Sequence, residues 1–169
     1  NTAEDLLFNK ALPLNSYKTS KFTLENNSPN PLVMQTSIGQ GNTLVSPMHM
    51  ALITSAIAND GVLMKPYLID EVVNDNGDSV KKTEPVAYKR LMSSNEANLL
   101  GKLMKQVVDS GTASALSGRS YTVAGKTGSA EFDEEGHSHS WFIGYSNVDD
   151  PDLVVAVIVE NGGSGSEAA

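Results

Sequence analysis

Four consecutive residues, Lys126, Thr127, Gly128 and Ser129, form the pattern with the clearest chemical potential in this sequence. The lysine supplies a positive charge that can bind a carboxylate and assist nearby proton transfer, and the two hydroxyls can donate hydrogen bonds to the same carboxylate. Gly128 has no side chain, so the backbone of an extended ligand can lie against it as an added strand. The backbone N–H of Ser129 can then face a reacting carbonyl as half of an oxyanion hole.

These residues lie on the first of three predicted strands, at residues 121–130, 140–146 and 153–160. The two joins are of loop length, which predicts antiparallel neighbours. The third segment is almost continuously apolar from Val154 to Val159, a pattern typical of a central strand that is covered on both faces. The sequence therefore predicts an antiparallel sheet that presents the lysine-bearing segment.

Two helices are predicted beside this sheet. The first begins with Ser46 as N-cap and Pro47 at the first helical position. The second covers residues 94–109, because Ser93 and Glu96 have the spacing of a capping box. The apolar stripe of the second helix is predicted to consist of Leu99, Leu103, Met104 and Val107.

The remaining segments are less regular. Residues 1–36 are polar and interrupted by prolines, so we predict irregular structure there, followed by a glycine-flanked turn at 37–41. Residues 74–78 contain Asn-Gly, the strongest short-range hairpin signal. Residues 162–166 are a low-complexity Gly/Ser tail that fits either a native loop or an artificial linker.

Composition limits the function classes. The 169 residues carry a net charge of −8, which disfavours nucleic acid or an anionic membrane as the main partner. There are no cysteines, which excludes disulfides, thiol catalysis and thiolate metal sites. No apolar segment reaches the length of a membrane span. The chain has neither an initiator methionine nor a signal-peptide pattern, so we expect it to be an internal piece of a longer protein.

The three histidines suggest no metal centre. His137 and His139 alternate at a strand entry and could contact one ion, but no carboxylate pattern completes a site, and we predict a turn beside the ligand groove instead. His49 lies within a predicted helix, and we interpret it as a packed or half-exposed residue rather than a base. We therefore predict no metal site.

Six segments together resemble high-molecular-weight penicillin-binding proteins, in the order that this family shows. The match covers residues 36–160 well and residues 1–35 only loosely, so residues 1–169 resemble the C-terminal portion of one transpeptidase domain. The segments are TSIGQG at 36–41, VSPMHMA at 45–51, AIANDG at 56–61, VVDSGTA at 107–113, KTGSAE at 126–131 and WFIGY at 141–145.

This resemblance implies an α/β (α+β) fold, in which an antiparallel sheet has flanking helices and a further helix begins near residue 167. A fragment with three strands would leave apolar sheet surface uncovered unless another chain segment packs there. The implied activity is peptidoglycan D,D-transpeptidation through a serine acyl-enzyme, at the extracytoplasmic face of a bacterial membrane. Lys126, Thr127, Gly128 and Ser129 would bind stem peptides that end in D-Ala-D-Ala, or β-lactams, and no cofactor would be needed.

The other two catalytic motifs of the family have no convincing match. The family needs Ser-x-x-Lys at a helix start, whereas the one match, residues 79–82, follows an Asn-Gly turn. The family's Ser-x-Asn is matched in letters at residues 93–95, which are better explained as a helix cap, and at 28–30, which lack the intervening helices. We therefore expect the nucleophile to lie in an N-terminal part of the domain that this chain does not contain.

Two other functions stay open at this stage. A β-lactamase or β-lactam sensor of the same superfamily would share the Lys-Thr-Gly strand but would hydrolyse the antibiotic or signal its presence. A non-catalytic module would keep the fold and bind wall peptides. The Gly-Gln-Gly and Ser-Pro-x-x-Met-Ala segments favour the transpeptidase over both.

Overall fold

The computed structural model describes residues 2–14, 17–133 and 135–169, the last range without the side chains of residues 167 and 168. The α-helices are α1 (Thr2–Asp5), α2 (Asn30–Ser37), α3 (Pro47–Ala58) and α4 (Ser94–Ser110). The strands are β1 (Val62–Met64), β2 (Glu71–Val73), β3 (Ser79–Lys82), β4 (Ala87–Arg90), β5 (Val123–Glu131), β6 (Ser138–Ser146) and β7 (Val154–Val159). Short 3-10 turns cover Ser114–Leu116 and Gly165–Ala168.

The main sheet has the order β5-β6-β7 and is antiparallel throughout, as predicted. Lys126 lies opposite Ile143, and Gly128 lies opposite Trp141. The prediction that the third strand is central and covered on both faces is wrong for this chain, because β7 ends the sheet and alternates between half-buried and exposed residues. The middle position belongs to β6, and no strand of the described residues pairs with the outer edge of β5, which we call its free edge.

The other four strands form two smaller sheets that are separate from the main sheet. The predicted hairpin is confirmed, with β2 paired antiparallel to β3 around a turn in which Asn74 Oδ1 accepts hydrogen bonds from the N–H groups of Asn76 and Asp78. Strands β1 and β4 also pair, which the sequence pattern did not predict. These strands are only three and four residues long, and 22 residues separate them.

Both predicted helix starts are confirmed. The Ser46 hydroxyl accepts a hydrogen bond from the His49 N–H at the start of α3, with Pro47 in the first turn. Ser93 and Glu96 form the full capping box of α4: the Glu96 carboxylate accepts from the Ser93 N–H at 2.8 Å, and the Ser93 hydroxyl accepts from the Glu96 N–H at 3.3 Å.

The predicted apolar stripe of α4 is right for two of its four residues and wrong for the other two. Met104 is buried as expected, but Leu99 and Leu103 are more than half exposed. Helix α4 packs through small residues instead, since a Cβ on Gly101 would lie 2.6 Å from the hydroxyl of Tyr145. The buried residues of the helix are Ala97, Gly101, Met104 and Val108. Close contact with the sheet therefore buries the part of the helix surface that carries small residues, and the leucines stay exposed.

The prediction of irregular structure for residues 1–36 is only partly right, because α1 and α2 form within or across this stretch. Pro31 lies in the first turn of α2, where proline is tolerated, so it starts a helix instead of preventing one. The segment before α2 is anchored by Leu7 and Leu12, both buried in the core under α3. Two buried leucines therefore fix a segment whose sequence is otherwise polar.

The two faces of the main sheet differ in what covers them. We call the face that carries Lys126, Gly128, Trp141 and Ile143 the groove face; α3 and α4 cover the part of it near Ala124. The other face carries Thr127, Ser129, Ser140 and Phe142, and we call it the opposite face. Its β7 residues Val155, Val157 and Val159 are 37–43% exposed, as expected for a sheet surface that the chain itself leaves uncovered.

The Gly/Ser-rich tail packs on the opposite face. We call residues 162–169 the C-terminal turn. The Ser138 hydroxyl donates to the Gly163 carbonyl at 2.5 Å, and the Ser140 hydroxyl donates to the Ser164 carbonyl at 2.6 Å. These contacts favour the native-loop interpretation over a linker. The expected helix near residue 167 is represented by a single 3-10 turn.

No described helix combines the length and the apolar composition needed to cross a bilayer.

Candidate functional site

The candidate site is a groove of about 450 Å³ on the groove face of the main sheet. One wall is β5 with its neighbour β6, and the other is the loop between α2 and α3 together with the start of α3. The lining residues are Ile38, Gly39, Val45, Met50, residues 126–130, Trp141 and Ile143. All four predicted ligand-binding residues therefore line one concave surface.

Lys126 and Gly128 face this groove directly. The Lys126 side chain is exposed and its ammonium group donates to the Thr127 carbonyl on the same strand. A Cβ placed on Gly128 would meet nothing closer than the Trp141 Cβ at 3.5 Å, an ordinary contact distance. The glycine is thus open on the groove side, and the space in front of it is large enough for the backbone of a ligand.

The free edge of β5 carries the hydrogen-bonding groups of Ser129. The Gln40 side-chain amide donates to the Ser129 carbonyl at 3.1 Å, so this carbonyl points away from β6. The N–H and C=O groups of one residue in an antiparallel strand point to the same side, so the Ser129 N–H also faces the free edge. The predicted oxyanion donor is therefore on the edge where a ligand strand would be added.

The side chains of Thr127 and Ser129 leave the strand on the opposite face, because side chains alternate along a strand. Each hydroxyl has one hydrogen-bond partner among the residues that the structure describes. Thr127 Oγ1 lies 2.5 Å from Thr112 Oγ1, and Ser129 Oγ accepts a hydrogen bond from the Gly165 N–H at 2.8 Å. Thr127 is 6% exposed, whereas Ser129 is exposed.

Sequence reasoning missed three contributors to this site: Gln40, Thr112 and Gly165. Gln40 lies between two glycines, and Gly39 and Gly41 both have positive φ, of 83° and 73°, which lets the loop turn sharply toward β5. Thr112 follows the end of α4, and Gly165 lies in a low-complexity tail. The glycine pattern around Gln40 is the one signal that could have been used.

The histidine region forms a turn beside the sheet. The His137 ring Nδ1 lies 2.6 Å from Asp133 Oδ2, and this contact holds the pKa of the Asp133 carboxyl below its usual value, although its partial loss of water acts in the other direction. The His139 ring stacks on Phe132 at 4.3 Å and accepts a hydrogen bond from the Asn161 N–H. Within the described ranges, no three His, Asp or Glu side chains are arranged to hold a metal ion.

His49 is fully buried in α3. Its Nε2 lies 2.7 Å from the Leu6 carbonyl, so this nitrogen donates its proton there, and its Nδ1 has no hydrogen-bond partner among the described residues. Burial lowers the pKa of the imidazole from its ordinary value of 6.5, because the charged form loses its contact with water. His49 therefore serves to fix the N-terminal segment rather than to act as a base.

The three look-alike segments have ordinary structural roles. Residues 79–82 form the exposed strand β3 and not the start of a helix. Ser93 is the N-cap of α4, as predicted. Ser28 precedes α2, and its hydroxyl accepts a hydrogen bond from the Glu25 N–H.

Comparisons with known proteins bear on the family and the fold of this chain. The family model described as the penicillin-binding protein transpeptidase domain matches residues 10–169. The "Peptidoglycan D,D-transpeptidase PbpA" of Mycolicibacterium smegmatis is 34% identical over 133 residues, 75% of this chain and 26% of that protein. "Stage V sporulation protein D" of Bacillus subtilis is 35% identical over 133 residues, 75% of this chain and 20% of that protein.

A solved structure of penicillin-binding protein A from M. tuberculosis, an imipenem acyl-enzyme complex, superimposes with a TM-score of 0.81 at 27% identity. The superposition covers 99% of this chain and 38% of that one. This chain spans about a quarter of the length of the curated relatives it matches. Together with the sheet, the groove and the Lys-Thr-Gly strand, these matches show that the chain belongs to the penicillin-binding protein transpeptidase domain family.

Proposed function

We propose that this chain is the substrate-strand portion of a peptidoglycan D,D-transpeptidase. Its binding partners are stem peptides that end in D-Ala-D-Ala and the β-lactams that resemble them. The single observation that carries the proposal is the free edge of β5, where Lys126, an open Gly128 and the outward-facing N–H of Ser129 meet in one groove.

Each residue of the segment has a distinct role in this proposal. The Lys126 ammonium binds the terminal carboxylate of the peptide, with the hydroxyls of Thr127 and Ser129 as further donors. Gly128 leaves room for the peptide backbone. The Ser129 N–H donates to the carbonyl oxygen of the penultimate D-Ala and stabilises the negative charge that develops there.

The reaction that this site serves is an acyl transfer in two steps. A serine hydroxyl attacks the penultimate D-Ala carbonyl and the terminal D-Ala leaves as the amine. An amine of a second stem peptide then attacks the serine ester, which forms the cross-link and frees the serine. We propose that this serine and its lysine base come from a preceding part of the same domain, since the described Ser-x-x-Lys match lies on exposed strand β3.

The comparisons support the proposal in two ways. Relatives that match three quarters of the chain are named peptidoglycan D,D-transpeptidases. Solved structures similar to the chain are described as acyl-enzyme complexes with imipenem, ceftriaxone and penicillin G, so β-lactams are ligands of those proteins. By the same family relation, we propose that the complete protein works at the extracytoplasmic face of the membrane and is anchored through an N-terminal segment.

A binding titration tests the ligand-binding part of the proposal. The ¹⁵N-labelled chain is titrated with diacetyl-L-lysyl-D-alanyl-D-alanine, and the shifts of the β5 amides report binding. We expect Lys126→Gln to weaken binding about tenfold, the size of one charge-assisted hydrogen bond. The matched control is Lys81→Gln on the exposed hairpin, which should bind like the unsubstituted chain. Equal binding by both variants would remove Lys126 from the site.

Covalent labelling tests the origin of the nucleophile. We expect a fluorescent penicillin to leave the 169-residue chain unlabelled, and Ser79→Ala to change nothing. Label on the chain itself would show that one of its own serines is acylated. Rapid release of hydrolysed antibiotic from a longer polypeptide that supplies the serine would favour a β-lactamase instead.

A further inference from the structure

The C-terminal turn reaches the substrate strand through one backbone group. The Gly165 N–H donates to Ser129 Oγ at 2.8 Å. Gly165 is buried, although it lies in a tail that is mostly exposed. A contact of this kind has a direct effect on the hydroxyl that receives it, because it takes one of the two acceptor positions of the serine oxygen.

The position of Gly165 requires glycine. A Cβ at this residue would lie 2.6 Å from the Gly128 carbonyl carbon and 2.7 Å from the Gly128 nitrogen. Both atoms belong to the backbone of a paired strand, so they cannot rotate away as the end of a side chain could. The bare backbone of Gly165 thus lies directly on Gly128, on the side away from the groove.

Strand β6 fixes the register of this contact. The Ser138 and Ser140 hydroxyls donate to the carbonyls of Gly163 and Ser164, the two residues before Gly165. Ser140 lies directly opposite Ser129 in the sheet. The Gly163 N–H also donates to the Ser138 carbonyl at 3.3 Å, so three hydrogen bonds tie the turn to the middle strand, and it extends from there to the edge strand.

From this arrangement we propose that Gly165 is a positioning residue for ligand recognition and makes the site selective for a carboxylate. Its N–H occupies one acceptor position of the Ser129 hydroxyl and thereby fixes the direction of that hydroxyl. Ser129 Oγ then keeps one acceptor position and its single proton, which donates to the ligand. A carboxylate, which only accepts hydrogen bonds, satisfies this donor; a carboxamide presents its own N–H donors to the same place.

The inference rests on the proposed function and adds a determinant of ligand selectivity outside the Lys-Thr-Gly segment. The test compares two peptides with the 169-residue chain: diacetyl-L-lysyl-D-alanyl-D-alanine and the same peptide with a C-terminal carboxamide. The measured quantity is the ratio of the two Kd values, carboxamide over carboxylate. We expect this ratio to fall about tenfold in Gly165→Ala and in Ser129→Ala.

A double variant separates positioning from a general structural role. If Gly165 acts through Ser129, the Gly165→Ala/Ser129→Ala chain has the same ratio as either single variant. Ser129→Thr keeps the hydroxyl and should keep most of the preference. Ser166→Ala changes an exposed neighbour of Gly165 and should leave the ratio unaltered. Cross-strand signals between β5 and β6 verify that each variant keeps the sheet.

Amide hydrogen exchange at Gly165 tests the contact with Ser129 without a ligand. The Gly165 amide should exchange slowly with solvent in the unsubstituted chain and in Ser129→Thr, and faster in Ser129→Ala. Two failures can be told apart. An unsubstituted chain that binds neither peptide contradicts the proposed function, and this inference with it. A chain that prefers the carboxylate and keeps that preference in Gly165→Ala contradicts the role of Gly165 alone.

Discussion

The groove face and the opposite face of β5 carry alternate residues of one four-residue segment, but their surroundings differ. On the groove face, Lys126 and Gly128 border open space. On the opposite face, Thr127 and Ser129 are each bound by another part of the chain, through Thr112 and Gly165. The same strand is thus open to a ligand on one side and held in place on the other.

The difference shows how an edge strand can be both accessible and rigid. A strand with one free edge lacks half of its ladder hydrogen bonds, and its residues would otherwise be free to move. In this sheet, side-chain and backbone contacts on the opposite face hold β5 in place. The free edge of β5 therefore does not have to be paired with another strand. Substitutions of the buried residues on the opposite face should therefore affect stability, whereas those on the groove face, and those at the exposed Ser129 hydroxyl with its Gly165 contact, should affect binding.

The largest expected effect comes from Phe142 on the opposite face. The ring is 4% exposed and packs with Val108 and Ala113, so Phe142→Ala should lower the free energy of unfolding by about 3–5 kcal/mol. Trp141→Ala, the neighbouring substitution on the groove face, should cost clearly less, because Trp141 borders the open groove. Urea denaturation of both variants measures the difference. Equal losses would contradict the comparison.

The next effect separates two glycines of the same strand. A Cβ on Gly125 would lie 2.5 Å from the Phe142 ring carbon Cε2 and 3.0 Å from the Ile143 carbonyl oxygen, so Gly125→Ala should cost about 1–3 kcal/mol of unfolding free energy. Gly128→Ala adds its methyl group to the groove, where it should leave stability within about 0.5 kcal/mol and weaken peptide binding. Denaturation and the peptide titration together check both parts. A strongly destabilised Gly128→Ala chain would show that the groove side is packed after all.

A smaller effect is expected for the paired hydroxyls. Thr112→Val and Thr127→Val each remove one partner of the 2.5 Å contact, and each should cost about 1 kcal/mol of unfolding free energy. The double variant should cost less than the sum, because the remaining hydroxyl is no longer left without a partner. Strictly additive losses in a double-mutant cycle would mean that the two threonines do not interact.

The smallest effect is the change of stability with pH that comes from His49 in α3, the helix that packs on the groove face. The pKa of His49 is lowered in the folded chain from its ordinary value of 6.5. At pH values below 6.5, the unfolded chain therefore binds more protons at this residue than the folded chain does. Stability from the neutral His49 is therefore complete above pH 6.5 and is lost as the pH falls from there toward the lowered pKa. His49→Gln, which keeps an N–H donor for the Leu6 carbonyl, should remove this part of the pH dependence.

Amide exchange at two pH values gives the local measurement. Between pH 7 and pH 5.5, protection should fall around Leu6 and α3, while the C-terminal turn on the opposite face keeps its protection, because its contacts are hydroxyl and backbone groups that do not titrate. His137→Gln is the matched control, since His137 is exposed. Uniform loss of protection on both faces would remove His49 as the cause.

Local patterns predicted the parts of this molecule that depend on neighbouring residues. Ser93 and Glu96 predicted a helix start, and the segment around Lys126 predicted a strand, while its ligand chemistry stays a prediction. The buried part of α4 could not be chosen from periodicity, because the apolar face of α4 is broad, and the space beside Tyr145 decides which part of it is buried. The partner of Thr127 is 15 residues away, and that of Ser129 is 36 residues away, in a tail with no informative composition.

The β2–β3 hairpin is a suitable place to attach a label to this chain. Every residue of its two strands is exposed, and its base is closed by Thr83, whose N–H and hydroxyl donate to the carbonyls of Asp70 and Ile69 at 2.7 and 2.6 Å. Because the sequence contains no cysteine, one Cys at Asn76 would be the sole thiol for a fluorophore or a surface tether. Among the described residues, this ribbon shares no strand pairing with the main sheet, so the dye would report on the molecule without entering the groove.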